Sequence, residues 1–330
     1  MKLWAIIPEL ILAGMCLGLV PIAGWARGRW RIIPGMVALF GLVACLFFTA
    51  RMLLWEPIPA FEQAYAIDGL ANVFKLLIEL GALVTLVLLA SYFRDHPLLA
   101  QAPVAILFAT LGAVGLSSSM DLGLIVLFLQ MMSMASYVLV VLVRGDSQAL
   151  EASLKYFIFG AVALAVMAYG LTFLYGLTGS LDLRVIGDAL RGADQAWISL
   201  ALVLILIGYG FEITMVPFHF WAPDVFVGAT APISGFLSVV PKVAAFAGLL
   251  RLLLYALPGE AVGWPTLVAV LAAITMSFGN LVALRQTSLK RLLAYSSIAQ
   301  AGYMLMAVAV ASRVDHASPA TAYYLAAYLF

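Results

Sequence analysis

Apolar runs of about 20 residues, the length a membrane crossing needs, recur from end to end of this 330-residue chain, and no other feature constrains the fold so strongly. A hydrocarbon layer about 30 Å thick admits only helices and closed barrels, because nothing else satisfies every backbone N–H and C=O without water. The runs fall at 3–25, 32–55, 70–93, 98–117, 122–143, 152–175, 197–216, 229–257, 262–284 and 292–311, with an eleventh from 320 onward. This pattern predicts an all-α polytopic membrane protein of about 10 or 11 transmembrane helices. Composition agrees: 10% of residues are charged, against about 25% in soluble domains. The first run starts almost at Met1 with no basic leader or small-residue cleavage signal, so it reads as a retained span. The eleventh stops at Phe330, about half the length of a crossing, so the chain reads as cut off there.

A formal net charge of +1 gives no reason to bind nucleic acid, and lipid is the expected surrounding. Cys16 and Cys45 sit in apolar runs and suggest neither a disulfide framework nor a metal site. There is no nucleotide loop, Cys-rich cluster or haem motif, so no cofactor is expected in this chain. Lys and Arg are retained on the cytoplasmic side. One set of alternate loops carries Arg27, Arg29 and Arg31, then Arg94, then Arg144, then Arg285, Lys290 and Arg291. The other carries Glu56, Glu62 and Asp68, then Asp121, then Asp182, Arg184, Asp188, Arg191 and Asp194, then Glu260. The basic set is expected in the cytoplasm, which puts the N-terminus on the outer, periplasmic side of a bacterial inner membrane. The longest loop, 176–196, should cap that outer face.

Ionisable and strongly polar groups deep in a span cost about 2.5–3.5 kcal/mol each on insertion scales and mark functional candidates. Glu79, Gln130, Glu212 and Lys242 qualify. Lys242 lies about 13 residues, or about 20 Å of helix, from either end of its run, beyond the reach of snorkelling. Its partner must come from another helix. Glu79 follows Lys75 by four residues, so it is either half of a local ion pair or a transport group. Gln130 cannot titrate and fits an interhelical hydrogen bond. In Met215-Val216-Pro217-Phe218-His219-Phe220-Trp221-Ala222-Pro223-Asp224 two prolines remove donors, so the helix must end or unwind near 217–223. His219 is then either an interfacial hydrogen-bonder or a proton carrier, and Glu212 lies about one turn before the break.

The run VPFHFWAPDVFVGATAPISGFLSVVPKVAAFAGLLR at 216–251 resembles the signature of the antiporter-like membrane subunits of respiratory complex I, and LRQTSLKRLLAYSSIAQAGYML at 284–305 resembles subunit N of that family. Pro8-Glu9-Leu10, Glu151-Ala152-Ser153-Leu154-Lys155-Tyr156-Phe157 and Tyr175-Gly176-Leu177-Thr178-Gly179-Ser180 extend the likeness over nearly the whole chain. The resemblance implies a non-redox, proton-translocating subunit of an NADH:quinone oxidoreductase. NADH, FMN, iron–sulfur clusters and quinone would belong to partner subunits, and the neighbours would be other antiporter-like and small membrane subunits. It also implies two inverted five-helix repeats, each with a broken helix. Here 1–97 would hold three N-terminal helices, 98–257 the first repeat, and 258–330 the start of an incomplete second one.

Two departures from the family bear on mechanism. Relatives usually have glutamate at the position of Gln130 and lysine at that of Glu212, an acid–base pair that this chain cannot form, while Lys242 keeps its expected identity. Gln300 stands where relatives often have histidine. Either Glu212 and Lys242 form a substitute pair that exchanges protons, with His219 at the break and Glu79 as a weaker candidate, or the chain is a non-pumping structural subunit. A multi-subunit cation/proton antiporter is the alternative from a different class, since it shares the Pro-His-Trp break.

Overall fold

In the computed structural model, residues 3–61, 63–93, 99–142, 147–257, 263–314 and 316–329 are described, without the side chains of 3, 29, 58 and 59. Glu62, Arg94, Arg144, Glu260 and Phe330 lie outside the described residues, as does the side chain of Arg29. Thirteen α-helices run through the described residues: α1 Ile7–Trp25, α2 Ile33–Met52, α3 Gly69–Tyr92, α4 Ala102–Ser118, α5 Leu122–Val140, α6 Ser147–Thr178, α7 Leu183–Ala189, α8 Gln195–Glu212, α9 Trp221–Gly228, α10 Ala231–Arg251, α11 Trp264–Ala283, α12 Leu289–Ala309 and α13 Ala317–Leu329. Among these residues nine helices are long and apolar enough to cross a membrane, and α4, at 17 residues, is a shorter apolar helix. Ten helices thus stand where the ten full-length apolar runs predicted them, and α13 occupies the eleventh.

The helix starts follow local chemistry. Pro8, Pro34, Pro103, Pro232 and Pro265 occupy first-turn positions, where a missing N–H costs nothing. Asp68, Asp121, Asp182 and Asp194 cap α3, α5, α7 and α8 by accepting from first-turn amides at 2.8–3.3 Å. The acidity of the loops assigned to the outer face therefore has a capping cause, each carboxylate meeting the positive end of a helix dipole. Backbone bonds tie those loops together at one end of the bundle: Met120 N donates to Ala64 O, Leu122 N to Leu181 O and Leu183 N to Met120 O.

Two features of this end differ from expectation. The 56–68 loop contains an antiparallel hairpin, β1 Ile58–Ala60 and β2 Tyr65–Ile67, which buries Tyr65 and Ile67 against the helix ends. The 176–196 loop is largely helical, because α6 continues to Thr178 and Asp182 starts α7. Three-residue strands and a seven-residue helix leave too short a periodic pattern to read beside long apolar runs.

Helix α10, with its π-helical extension Leu252–Ala256, is the centre of the molecule. In its apolar window 89% of residues are buried, against 22% in α11. It packs on α3 and α4, antiparallel to α3, so that Gly81 of α3 meets Val240 while Asp68 at the N-terminus of α3 meets Arg251. The tightest seam joins α11 to α12, where a Cβ at Gly302 would lie 2.5 Å from Met276 N and one at Gly279 2.6 Å from Ala299 N. Small residues let backbones approach where lipid offers no hydrophobic drive for association.

Candidate functional site

Helix α8 ends at Glu212, and 213–220 is not helical before α9 begins at Trp221. The break therefore lies a few residues earlier than the expected 217–223. Pro217 falls inside it, but Pro223 sits in the first turn of α9, a position that tolerates proline because its N–H would be unpaired anyway. Glu212 is accordingly the last residue of its helix rather than one turn short of the break. Protein groups satisfy much of the unwound backbone, as membrane depth requires. Met215 N donates to Gly210 O at 2.7 Å, Trp221 Nε1 to Phe211 O at 3.0 Å, and Val216 N to Thr275 Oγ1 of α11 at 3.1 Å. Tyr156 of α6 stacks on Trp221 with ring centroids 4.2 Å apart and so clamps the broken segment to α6. Thr275→Val keeps the shape but removes the acceptor for Val216 N, and should lower unfolding free energy by about 1 kcal/mol in a denaturant titration.

Lys242 lies on α10, about 16 Å of helix rise from Ala231. It is fully buried. Its Nζ donates to the carbonyl of Ser297 on α12 at 2.8 Å and to the Ser297 hydroxyl at 2.5 Å. Tyr328 of α13 donates to the same hydroxyl at 2.6 Å, and its ring centroid is 5.9 Å from Nζ. Among the described residues no carboxylate forms an ion pair with Lys242.

Glu212 is buried and accepts from Ser133 Oγ of α5 at 2.6 Å, and its second oxygen has no hydrogen-bond partner. The substitute pair between Glu212 and Lys242 is thus not formed. The reason is directional: Glu212, at the end of α8, faces α5, whereas Lys242 faces α12. Gln130 is half-buried and lines a largely apolar groove between α5 and α6 with Val126, Ala168 and Thr172. Ser133, not Gln130, is the group that reaches Glu212. His219 is buried within the break, its ring between Phe220 at 4.8 Å and Phe278 at 4.7 Å, and its Nδ1 has no partner. Gln300 accepts a hydrogen bond from Tyr324 of α13.

Glu79 does not form the local pair with Lys75. Lys75 reaches across to Glu9 of α1 at 2.5 Å, and Glu79 accepts from Thr49 of α2 at 2.9 Å. Sequence reasoning missed two further arrangements. Arg251, at the end of α10, is fully buried and donates to both oxygens of Asp68, at 2.6 and 3.2 Å, and to Ser117 O at 2.6 Å. Asp224 of α9 pairs with Lys155 of α6 at 2.8 Å and Arg291 of α12 at 3.2 Å, tying the far side of the break to two helices. Both lay in the quoted 216–251 run, but a residue near a helix end looks like an ordinary interfacial charge until its partner is located.

Residues 119–330 match the family described as NADH:quinone oxidoreductase/Mrp antiporter, TM. NADH-quinone oxidoreductase subunit N 2 of Chloroherpeton thalassium is 39% identical over 98% of this chain and 65% of its own length. The chain covers the same 65% of subunit N of Chlorobium chlorochromatii, so it spans just under two thirds of these relatives. A chain of respiratory complex I from Thermus thermophilus, solved with bound aureothin, superposes with a TM-score of 0.82 at 36% identity, over 98% of this chain and 69% of that one. A chain of the Mrp complex from Dietzia sp. shares the fold, with a TM-score of 0.87 at 20% identity over all of this chain and 62% of that one. With a family match across more than half its length, and with both a broken helix and a fully buried lysine, this chain belongs to the NADH:quinone oxidoreductase/Mrp antiporter membrane family.

Proposed function

We propose that this chain serves as a membrane-arm subunit of an NADH:quinone oxidoreductase and contributes to proton translocation driven by quinone reduction in partner subunits. The observation that carries this reading is Lys242, an ammonium buried at mid-span and held by a hydroxyl and a carbonyl instead of a carboxylate. A structural lysine gains most from a paired anion, whereas a weakly held one can exchange its proton as neighbouring groups move. Glu212 and His219, each with a buried atom lacking a partner next to unwound backbone, are further stations for the proton, and Gln130 lies outside that route.

In this reading 1–97 contributes three flanking helices, 98–257 the first antiporter-like repeat with its break at 213–220, and 258–330 the beginning of the second. NADH, FMN, iron–sulfur clusters and quinone are bound by partner subunits, and the neighbours are further antiporter-like and small membrane subunits. The membrane is the bacterial inner membrane, with the capped ends of α3, α5 and α8 on the periplasmic side. The test is Lys242→Ala in the assembled complex, measured as protons moved per quinone reduced. A lower ratio is expected. An unchanged ratio removes the transport role and leaves a packing subunit of the arm.

A further inference from the structure

A second buried polar cluster lies outside the family's broken-helix repeat, among α1, α2, α3 and the hairpin. Lys75 Nζ and Tyr65 Oη both donate to Glu9 Oε1, at 2.5 and 2.8 Å. Glu79, fully buried, has one donor, Thr49 Oγ1 at 2.9 Å. The second oxygens of Glu9 and Glu79 are buried and have no partner. The cluster thus holds two carboxylates and one ammonium, and the ammonium is bonded to Glu9 alone. Of the other elements packed around them, α4 and α13 carry no charged side chain, and Arg51, the one cation of α2, is exposed at the end of its helix. From α2, Cys45 donates to Pro8 O. From α10, Arg251 is matched by Asp68, and Lys242 faces Ser297. No further cation of the described residues pairs with Glu79.

A lone carboxylate in such a site is too costly to keep ionised, so the cluster must take up one more positive charge. A metal cation needs a shell of several oxygens, and Glu79 has a single hydroxyl beside it. The missing charge is then a proton. Lys75 and Glu79 are four residues apart on α3, so a rotamer change carries the ammonium from one carboxylate to the other. We propose that Glu9 and Glu79 form a proton site in which one of the two carboxyls is protonated and Lys75 pairs with the other, making α1–α3 a two-state proton exchanger separate from the Lys242 region. In the state seen here Lys75 holds Glu9, and Glu79 carries the proton. When a proton enters at Glu9 Oε2, Lys75 is released and turns to Glu79, whose proton leaves. One proton goes in and one comes out, and the lysine keeps its charge throughout. Tyr65 Oη links Glu9 to the hairpin at the capped end of the bundle.

The site predicts a buried carboxylic-acid carbonyl band in the infrared spectrum of the full-length protein in lipid vesicles. Glu79→Gln should remove that band. Glu9→Gln should remove it too, because Lys75 then has only Glu79 to pair with. Lys75→Met should add a second band, since both carboxyls become neutral. If Glu79→Gln does not fold, Thr49→Val should move the band to higher frequency by deleting its hydrogen bond. A band untouched by Glu79→Gln, or by Thr49→Val, overturns the proposal. Lys242→Ala should leave the band in place whether or not it alters translocation, so the two readings fail independently.

Discussion

Arg251→Ala should destabilise the protein by about 3–5 kcal/mol, because it strands the Asp68 carboxylate that a buried guanidinium now holds with two hydrogen bonds. The same truncation frees Ser117 O, which accepts from Arg251 Nε. Thermal unfolding of the purified protein would show the loss as a large fall in melting temperature. In a double-mutant cycle, Asp68→Asn/Arg251→Ala should lose less than the sum of its single variants, since neither leaves the other's charge uncompensated. The bridge also has a pH signature. Burial pushes the Asp68 carboxyl up, but the Arg251 charge and hydrogen bonds, with the Ala71 amide, bring it below the usual aspartate value. A carboxyl lowered by folding contributes stability above its unfolded value of about 3.9, and that contribution is lost as pH falls through the folded value. The stabilisation from this group should therefore be complete and constant between pH 5 and 8, and melting temperature should fall below about pH 4. Arg251→Ala should flatten that acid limb.

Lys242→Met should leave melting unchanged or raise it while lowering the number of protons moved per quinone reduced. Replacing a buried charge with an apolar chain of similar volume is often neutral, or stabilising by about 1–4 kcal/mol, since the desolvation cost disappears. The Ser297 hydroxyl would still accept from Tyr328, so the substitution leaves no orphan there. A purely architectural lysine predicts the opposite pattern, with lost stability and an intact ratio. Ser297→Ala removes the hydroxyl but keeps the carbonyl acceptor, and should change the ratio less than Lys242→Met does. Equal ratios in the natural protein and Lys242→Met would exclude a transporting role for this residue.

The two buried lysines differ in how much the sequence disclosed. Lys242 stood out because no acid in its own run could neutralise it and both ends lay beyond its reach. Its acceptor, a serine 55 residues away on α12, carried no signal, since serine is unremarkable in any helix. Lys75 seemed explained by Glu79 four residues on, and that local geometry lost to Glu9, 66 residues away, once α1 packed beside α3. The break shows the same division. Two prolines announced it, but where it starts depended on tertiary groups such as Thr275 and Tyr156 that hold the unwound backbone.

The ten long apolar helices, their approximate limits, the broken segment and the family were legible in the amino-acid sequence alone, because the need to satisfy every backbone group in lipid demands apolar runs of about 20 residues that nothing later can erase. Only the tertiary structure decided that α10 is the central helix, that Glu212 turns to Ser133 and away from Lys242, and that Arg251, Asp68, Lys75 and Glu9 pair across helices. A helix buried on all sides and a helix facing lipid are equally apolar, so composition cannot rank them. The direction in which a buried charge points is set by which neighbour offers an acceptor, and that is known only once the helices are packed.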